Sequence, residues 1–536
     1  MEHLTTYVAL FGIIIFVGVL SSKSPIPTAL ILVIVGMALS FVPELPHINL
    51  NPGVVLNIFL PMLLYQISSS ASWKDVKKNM RPIALLSIGH VLFIATLVAI
   101  TIHALIPQLS WPFAFILGAV ISPPDDVAIV AIAEKIRMPR RIVTILEGEG
   151  IFNDATALLL FRLGLLAMVT YDFSVFQASS TFIVIIIGEA FYGLALGYIL
   201  GELRLKINDP ILHMLTSLLT PFLAYLPVEK MGGSGVLATV VTGFVIGNIY
   251  SSHFTPDFRL LSRAVWPTLA FAIESILFIL IGLDLRFILE SISTIPFASL
   301  ALYSGSIIFV VIVGRFIWVY LSAYIPQFLF PSILKKDPYP PWEYLFVISW
   351  AGMRGGISLA AALAVPLLPS TVDGANSRDL LIFLVFCVIA ATLVVQGLTL
   401  PWLLKVLKIH KYSQREKYDD HLAELSAKLK MAQAVLRWLK EYGELVKDDS
   451  QLLNEIKLRT HDYRMLKKQY LEKINQHSEK LEHNEKIEMQ EFTFLSSRII
   501  AIERSELSRL WQEEKINHSI RNKLQDQLDH RFKHLS

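Results

Sequence analysis

Ile121-Ser122-Pro123-Pro124-Asp125-Asp126-Val127 stands inside an apolar run over about 111–133. Two adjacent prolines remove two amide donors and break any helix that carries them. The two aspartates put charge at the break, where the flanking residues are apolar. A second interruption, Ala351-Gly352-Met353-Arg354-Gly355-Gly356, falls inside another apolar run, 343–368. Glycine weakens a helix and lets it unwind or pack closely. Two apolar helices, each interrupted and each charged at the interruption, decide how the rest of the chain is read.

The surroundings are apolar on a scale that soluble domains do not reach. Of 536 residues, 54% are hydrophobic and 17% charged, and the mean hydropathy is +0.56; an average soluble domain is about 25% charged. Of the 91 Lys, Arg, Asp and Glu residues, 48 lie from Lys405 onward. The chain therefore divides into a membrane region, 1–408, and a highly charged tail, 409–536. A net charge of +3 is too small to imply nucleic acid. The single cysteine, Cys387, excludes an internal disulfide and a cysteine-based zinc site.

A spanning helix needs roughly 20 mostly apolar residues to cross about 30 Å of hydrocarbon. On that measure the first region predicts thirteen spans: 4–20, 26–42, 53–69, 82–106, 111–133, 142–169, 179–201, 210–227, 233–250, 264–284, 297–326, 343–368 and 379–404. Lipid offers no partner to backbone polar groups, so these runs are helices. A barrel would alternate, and Ile183-Val184-Ile185-Ile186-Ile187 does not. The fold class is an all-α polytopic membrane protein with a cytosolic α-helical C-terminal region. The first run is not a cleavable signal, since its leading residues carry Glu2 and the first cation, Lys23, follows it. Alternate loops carry fifteen against three Lys and Arg residues. That bias places the N-terminus outside and the tail in the cytoplasm.

From about Tyr412 the tail has no proline and one glycine, Gly443, and Leu422, Leu425, Leu429, Leu436 and Leu439 recur at helical steps. It reads as amphipathic helices packed on one another or on a second copy. The competing reading is a regulatory module that docks a cytosolic regulator or small ligand.

Charge at the bilayer centre costs about 2.5–3.5 kcal/mol on insertion scales, so each buried charge is a functional candidate. The set is Asp125, Asp126, Glu147, Glu149, Asp154, Arg162, Glu189, Glu274, Arg315 and Arg354. If spans 1–6 and 8–13 are two repeats, the broken spans are each fifth in their half, and such matched breaks mark the binding site of a transporter. Span six reads Leu146-Glu147-Gly148-Glu149-Gly150-Ile151-Phe152-Asn153-Asp154. Glu149 and Asn153, four apart, share a face. A carboxylate beside an amide oxygen and a broken helix suits a hard alkali cation. Asp154 can hold a proton instead, because burial penalises the ionised form. A group that takes either, but not both, is a minimal exchanger. Glu149 is expected to pair with Arg354, because an unpaired buried charge is costly. Glu147 is expected nearer the cytoplasmic surface. Asp126 is expected to line a water-filled funnel or cap the restarted helix. Arg315 and Glu274 are expected to pair with other buried groups, and for Glu189 and Arg162 the sequence names no partner.

These motifs resemble the monovalent cation:proton antiporter family, which includes sodium/proton exchangers. The resemblance is carried by Ser122 to Ala128 and Leu146 to Ala155. Further matches are Phe59-Leu60-Pro61, Gly235-Val236-Leu237-Ala238, Glu274 to Leu283, and Gly352 to Ile357. It implies thirteen helices in two inverted repeats with crossed broken helices, a homodimer, and elevator-like alternating access in the plasma (inner) membrane. By position it implies that Asp154 binds Na+ and H+ in turn, with Asp125, Asn153, Pro124 and Gly150 around it. Asn153 stands where electrogenic relatives carry a second aspartate, which implies electroneutral exchange. Many members have Thr at the position of Pro124, Ser at that of Gly150, and Pro or Ala at that of Asp126. The expected function is antiport of Na+, or another alkali cation, against H+ in pH homeostasis, with no cofactor; a K+-preferring exchanger is one alternative. An intramembrane aspartyl hydrolase using Asp125 and Asp154 is a second. A cation channel is a third, for which no filter sequence is present.

Overall fold

The computed structural model describes residues 2–22, 28–42, 52–125, 138–170, 175–329, 339–366, 371–372, 375–445, 450–479 and 493–533. Asp126 lies outside the described residues, as do Lys23, Lys135, Arg137, Lys335 and Lys336 of the charge pattern. The chain separates into two compact units: residues 1–254 with 261–410, and residues 255–260 with 411–536.

The first unit is helical apart from a two-stranded antiparallel pair, Thr371–Val372 (β1) and Ala375–Asn376 (β2). Its helices follow the apolar runs in order: α1 (Glu2–Ser22), α2 (Thr28–Ser40), α3 (Pro52–Ser70), a short α4 (Trp73–Lys78), α5 (Met80–Leu105) and α6 (Trp111–Ile121). After the break come α7 (Arg140–Thr170), α8 (Val175–Leu205), α9 (Pro210–Lys230), α10 (Val236–Tyr250), α11 (Pro256–Leu283), α12 (Leu285–Ser291) and α13 (Phe297–Leu329). The second interrupted run forms α14 (Trp342–Trp350) and α15 (Gly356–Leu363), and α16 (Ser377–Val406) closes the unit. Among the described residues, eight helices are long and apolar enough to cross a membrane, and four apolar helices are shorter. One boundary differs from expectation: α11 begins at Pro256, not near 264, because the polar turns carrying Asp257, Arg259 and Arg263 continue the same helix.

Packing sorts these helices into two groups. In one, α5 lies against α6 and α13, α7 against α6, and α15 and α16 against each other and α6. In the other, α10 lies against α3, α8 and α9. Large apolar side chains such as Val184, Ile187 and Phe191 on α8 and Phe309 and Phe328 on α13 are exposed. An outward apolar face of that size suits acyl chains rather than water.

The second unit holds α17 (His410–Leu445), α18 (Ser450–Glu479), α19 (Thr493–Gln512) and α20 (His518–Lys533). Leu425 and Leu439 are buried, as the heptad-like spacing of the tail predicts. Buried Ala427, Met431, Leu507, Leu510, Ile520 and Leu524 form one core. Ala432, Val435, Leu439, Ile456 and Tyr463 form a second. Asp529, fully buried, accepts from Arg504 Nη2 at 2.6 Å and from Arg259 Nε at 2.7 Å. Two guanidinium groups around one carboxylate leave Asp529 with no unsatisfied charge.

Candidate ion-binding site

The two interruptions meet. α6 ends at Ile121 with Ser122 as its cap, and the chain runs through Pro123 and Pro124 to Asp125, whose amide donates to Met353 O at 2.7 Å. Met353 lies in the non-helical stretch between α14 and α15. Gly355 is extended there, with φ −130° and ψ −169°. A Cβ at Gly355 would overlap Asp125 Oδ2, so the bare backbone is what admits this carboxylate. The stretch is held from behind by Arg354 N, which donates to Thr392 Oγ1 at 3.1 Å.

α7 brings the third part. Asn153, fully buried, donates through Nδ2 to Pro124 O at 2.8 Å. The carbonyl freed by the break is thus partly used by Asn153, and Asn153 Oδ1 has no hydrogen-bond partner among the described residues. Asp154 is only half-buried, and no hydrogen bond or ion pair reaches it from the described residues. Asp154 and Glu274 of α11 both lie within electrostatic range of Asp125. Asp125, at the crossing of the two interrupted helices, is thus felt by a carboxylate on α7 and one on α11. Gly150 is buried one turn before Asp154, and Glu147 is half-buried. Among the described residues, no three Asp, Glu, His or Cys side chains converge as the ligands of a tightly held metal ion would. An exchangeable alkali ion would be held by carboxylate, amide and backbone oxygens together with water.

The expected partner of Glu149 is corrected. Its carboxylate takes both prongs of Arg315, Nη1 to Oε1 at 2.6 Å and Nη2 to Oε2 at 2.9 Å, with both side chains 1% exposed. Arg315 Nε also donates to Ile348 O at 3.1 Å. Arg315 reaches α7 from α13 by passing Gly352, where any Cβ would overlap its side chain. Arg354 lies fully buried nearby, and no described group accepts from its guanidinium. His90 Nδ1 lies 3.9 Å from Glu149 Oε1. It ends a π-helical stretch of α5, Leu85–His90, and Thr392 begins another in α16, Thr392–Gln396. Single π turns re-aim side chains and recur at functional sites; sequence periodicity signalled neither residue.

The two charges without a named partner also find places. Glu189 accepts from Ser234 N at 2.5 Å, Ser234 Oγ at 3.0 Å, and Gly235 N and Leu237 N at 3.1 Å. Arg162 donates to Gly233 O and lies 3.7 Å from Glu229.

Residues 8–406 match the family model of the transmembrane sodium/hydrogen exchanger. The chain belongs to this family. Among relatives of this exchanger-family protein, the Na(+)/H(+) antiporter ApNhaP of Aphanothece halophytica is 31% identical over 435 residues, covering 80% of this chain and 79% of the relative. The sodium, potassium, lithium and rubidium/H(+) antiporter of Bacillus pumilus is 30% identical over 459 residues, covering 82% of this chain and 66% of the relative. The solved sodium proton antiporter MjNhaP1 of Methanocaldococcus jannaschii shares the fold, with a TM-score of 0.58 at 17% identity, over 76% of this chain and 100% of that one. The family is one of cation/proton antiporters, and a match over nearly the whole membrane region leaves the hydrolase reading without support.

Proposed function

We propose that the protein exchanges Na+, or another alkali cation, for H+ by alternating access, with both ions competing for Asp154. The observation that carries this reading is the contrast between two carboxylates on one helix. Glu149 is fully buried and neutralised by Arg315, whereas Asp154 is partly open and free of such a partner among the described residues. A site that must release its ion cannot be permanently paired.

Asn153 contributes an amide and no second charge, so one cation is exchanged for one proton and the cycle is electroneutral. Asp125 tunes the field at Asp154. The backbone at Pro124 and Gly150 and the oxygens of Asn153 complete the shell with water, and Glu274 widens the acidic entry. Relatives named for Na+ alone and for Na+, K+, Li+ and Rb+ support a site open to several alkali ions. The protein acts as a homodimer in the plasma membrane, N-terminus outside and tail in the cytoplasm. There, the tail is a regulatory site for a cytosolic partner or small ligand.

The test is proton flux in proteoliposomes given Li+, Na+ and K+ in turn. Wild-type protein is expected to respond to at least one ion, and Asp154→Asn to none, at unchanged yield. Exchange that survives in Asp154→Asn removes Asp154 as the carrier.

A further inference from the structure

Arg162 lies two turns beyond Asp154 on α7, at the end away from Arg140 and Arg141. Its Nη1 donates to Gly233 O and its Nη2 lies 3.7 Å from Glu229 Oε1. Glu229 stands in the last turn of α9, and Gly233 in the turn that joins α9 to α10. That turn is fastened independently of α7. Glu189 of α8, 3% exposed, gathers the amides of Ser234, Gly235 and Leu237. Gly235 adopts φ +71°, where a Cβ would lie 2.7 Å from Tyr225 O of α9. α8 and α10 are in backbone contact: a Cβ at Gly193 would lie 2.5 Å from Ala238 O. The turn, α8, α9 and α10 thus form one body.

α7 is seated on the other group of helices, with Gly164 pressed against Ile116 of α6, 2.6 Å from a Cβ placed there. Toward α10 it packs through Phe152, whose ring stacks on Phe244 with centroids 6.2 Å apart. A cleft of about 160 Å³ opens between Ala155 and Thr156 of α7 and Ile83 and Ser87 of α5 on one side and Ile186 of α8 and Leu237 of α10 on the other. The seam thus has a cleft beside the ion-carrying residues, bridged by the Phe152–Phe244 stack and, toward the far end of α7, by Arg162.

We propose that Arg162 is a positioning residue of the exchange cycle. It latches the ion-carrying helix to Glu229 of α9 and to the turn at Gly233, holds one access state, and releases for Asp154 to face the other side. This rests on Asp154 being the carrier. The charge pattern of the loops puts the latch at the outer end, so closing it favours the inward-facing state. The ion pair is about a third exposed at each partner, which suits a bond that must break in every cycle.

A ligand's apparent affinity falls with the fraction of protein in the competent state. Arg162→Gln should therefore lower the apparent KM for external cation and raise that for internal cation, each by about three- to tenfold. The measurement is cation-driven proton flux in right-side-out and everted vesicles holding the full-length protein. Glu229→Gln should shift both constants the same way but less, and Arg162→Lys should restore part of the asymmetry. Those two variants supply the decision if Arg162→Gln does not accumulate. Constants that stay put or move together on both sides overturn the latch, as does complete loss of flux at normal yield. Wild-type protein with no cation-driven flux in either vesicle would instead overturn the carrier reading.

Discussion

Arg315 and Glu149 meet through two parallel hydrogen bonds of 2.6 and 2.9 Å, and both side chains are 1% exposed. Removing one partner of a buried pair strands the other charge, at about 3–5 kcal/mol. Arg315→Met and Glu149→Gln should each lower membrane yield and thermal stability sharply. The double variant should recover much of the loss, since coupled residues are non-additive. Heating detergent-purified variants and following aggregation measures this; strictly additive losses would mean the pair contributes nothing jointly.

Gly355 leaves room for Asp125 and for little else. Its extended backbone would accept any residue, so substitution there tests space and not conformation. Gly355→Ala should push Asp125 aside or spread the crossing, at about 1–3 kcal/mol of overpacking. Exchange should fall at least tenfold while the protein still accumulates. Unchanged flux and unchanged cation KM would mean that the position of Asp125 is irrelevant to transport.

Asn153 donates to Pro124 O and carries no charge. Asn153→Asp adds an ionisable oxygen beside Asp154 and gives up that donation when ionised. Proton flux under a potassium–valinomycin clamp should be voltage-independent in the wild type and voltage-dependent in the variant. A wild-type rate that follows the imposed potential defeats one-for-one exchange.

In the tail, Glu424 receives Lys428 at 2.9 Å and Lys523 at 2.6 Å. Burial alone raises its carboxyl, but hydrogen bonds and charge from Lys523 and Lys428 outweigh that and hold it below its ordinary value. A lowered folded pKa contributes stability that is fully present above the unfolded value of about 4.3 and is lost as pH falls through the folded one. Hydrogen exchange of α20 in the full-length protein should be slower in the wild type than in Glu424→Gln at neutral pH. The difference should shrink once pH falls below the unfolded value and vanish only after it has passed through the lowered folded one. A difference that grows on acidification reverses the sign and rules the account out.

The crossing was legible in the sequence because its makers are backbone specialists. Pro123 and Pro124 cannot continue a helix, and Gly352, Gly355 and Gly356 need not. The buried charges were legible too, since any charge in an apolar run stands out. Which charges meet was not. Arg315 and Arg354 are equally conspicuous as letters, and the choice between them rests on a path past Gly352 that exists only once α13 and the α14–α15 stretch are packed. Glu189 and Arg162 had no readable partner because most of theirs are backbone amides and a carbonyl, groups nearly every residue possesses, and because the pairing of Arg162 with Glu229 exists only once α7 and α9 are packed. His90 and Thr392 sit on π turns, which break the 3.6-residue period that a sequence reading follows.

The link from Asp125 N to Met353 O joins the two interrupted stretches main chain to main chain. Such a joint is indifferent to which side chains flank it. The charged groups around the crossing can therefore be exchanged singly while the main-chain joint that ties the two interrupted helices together stays closed.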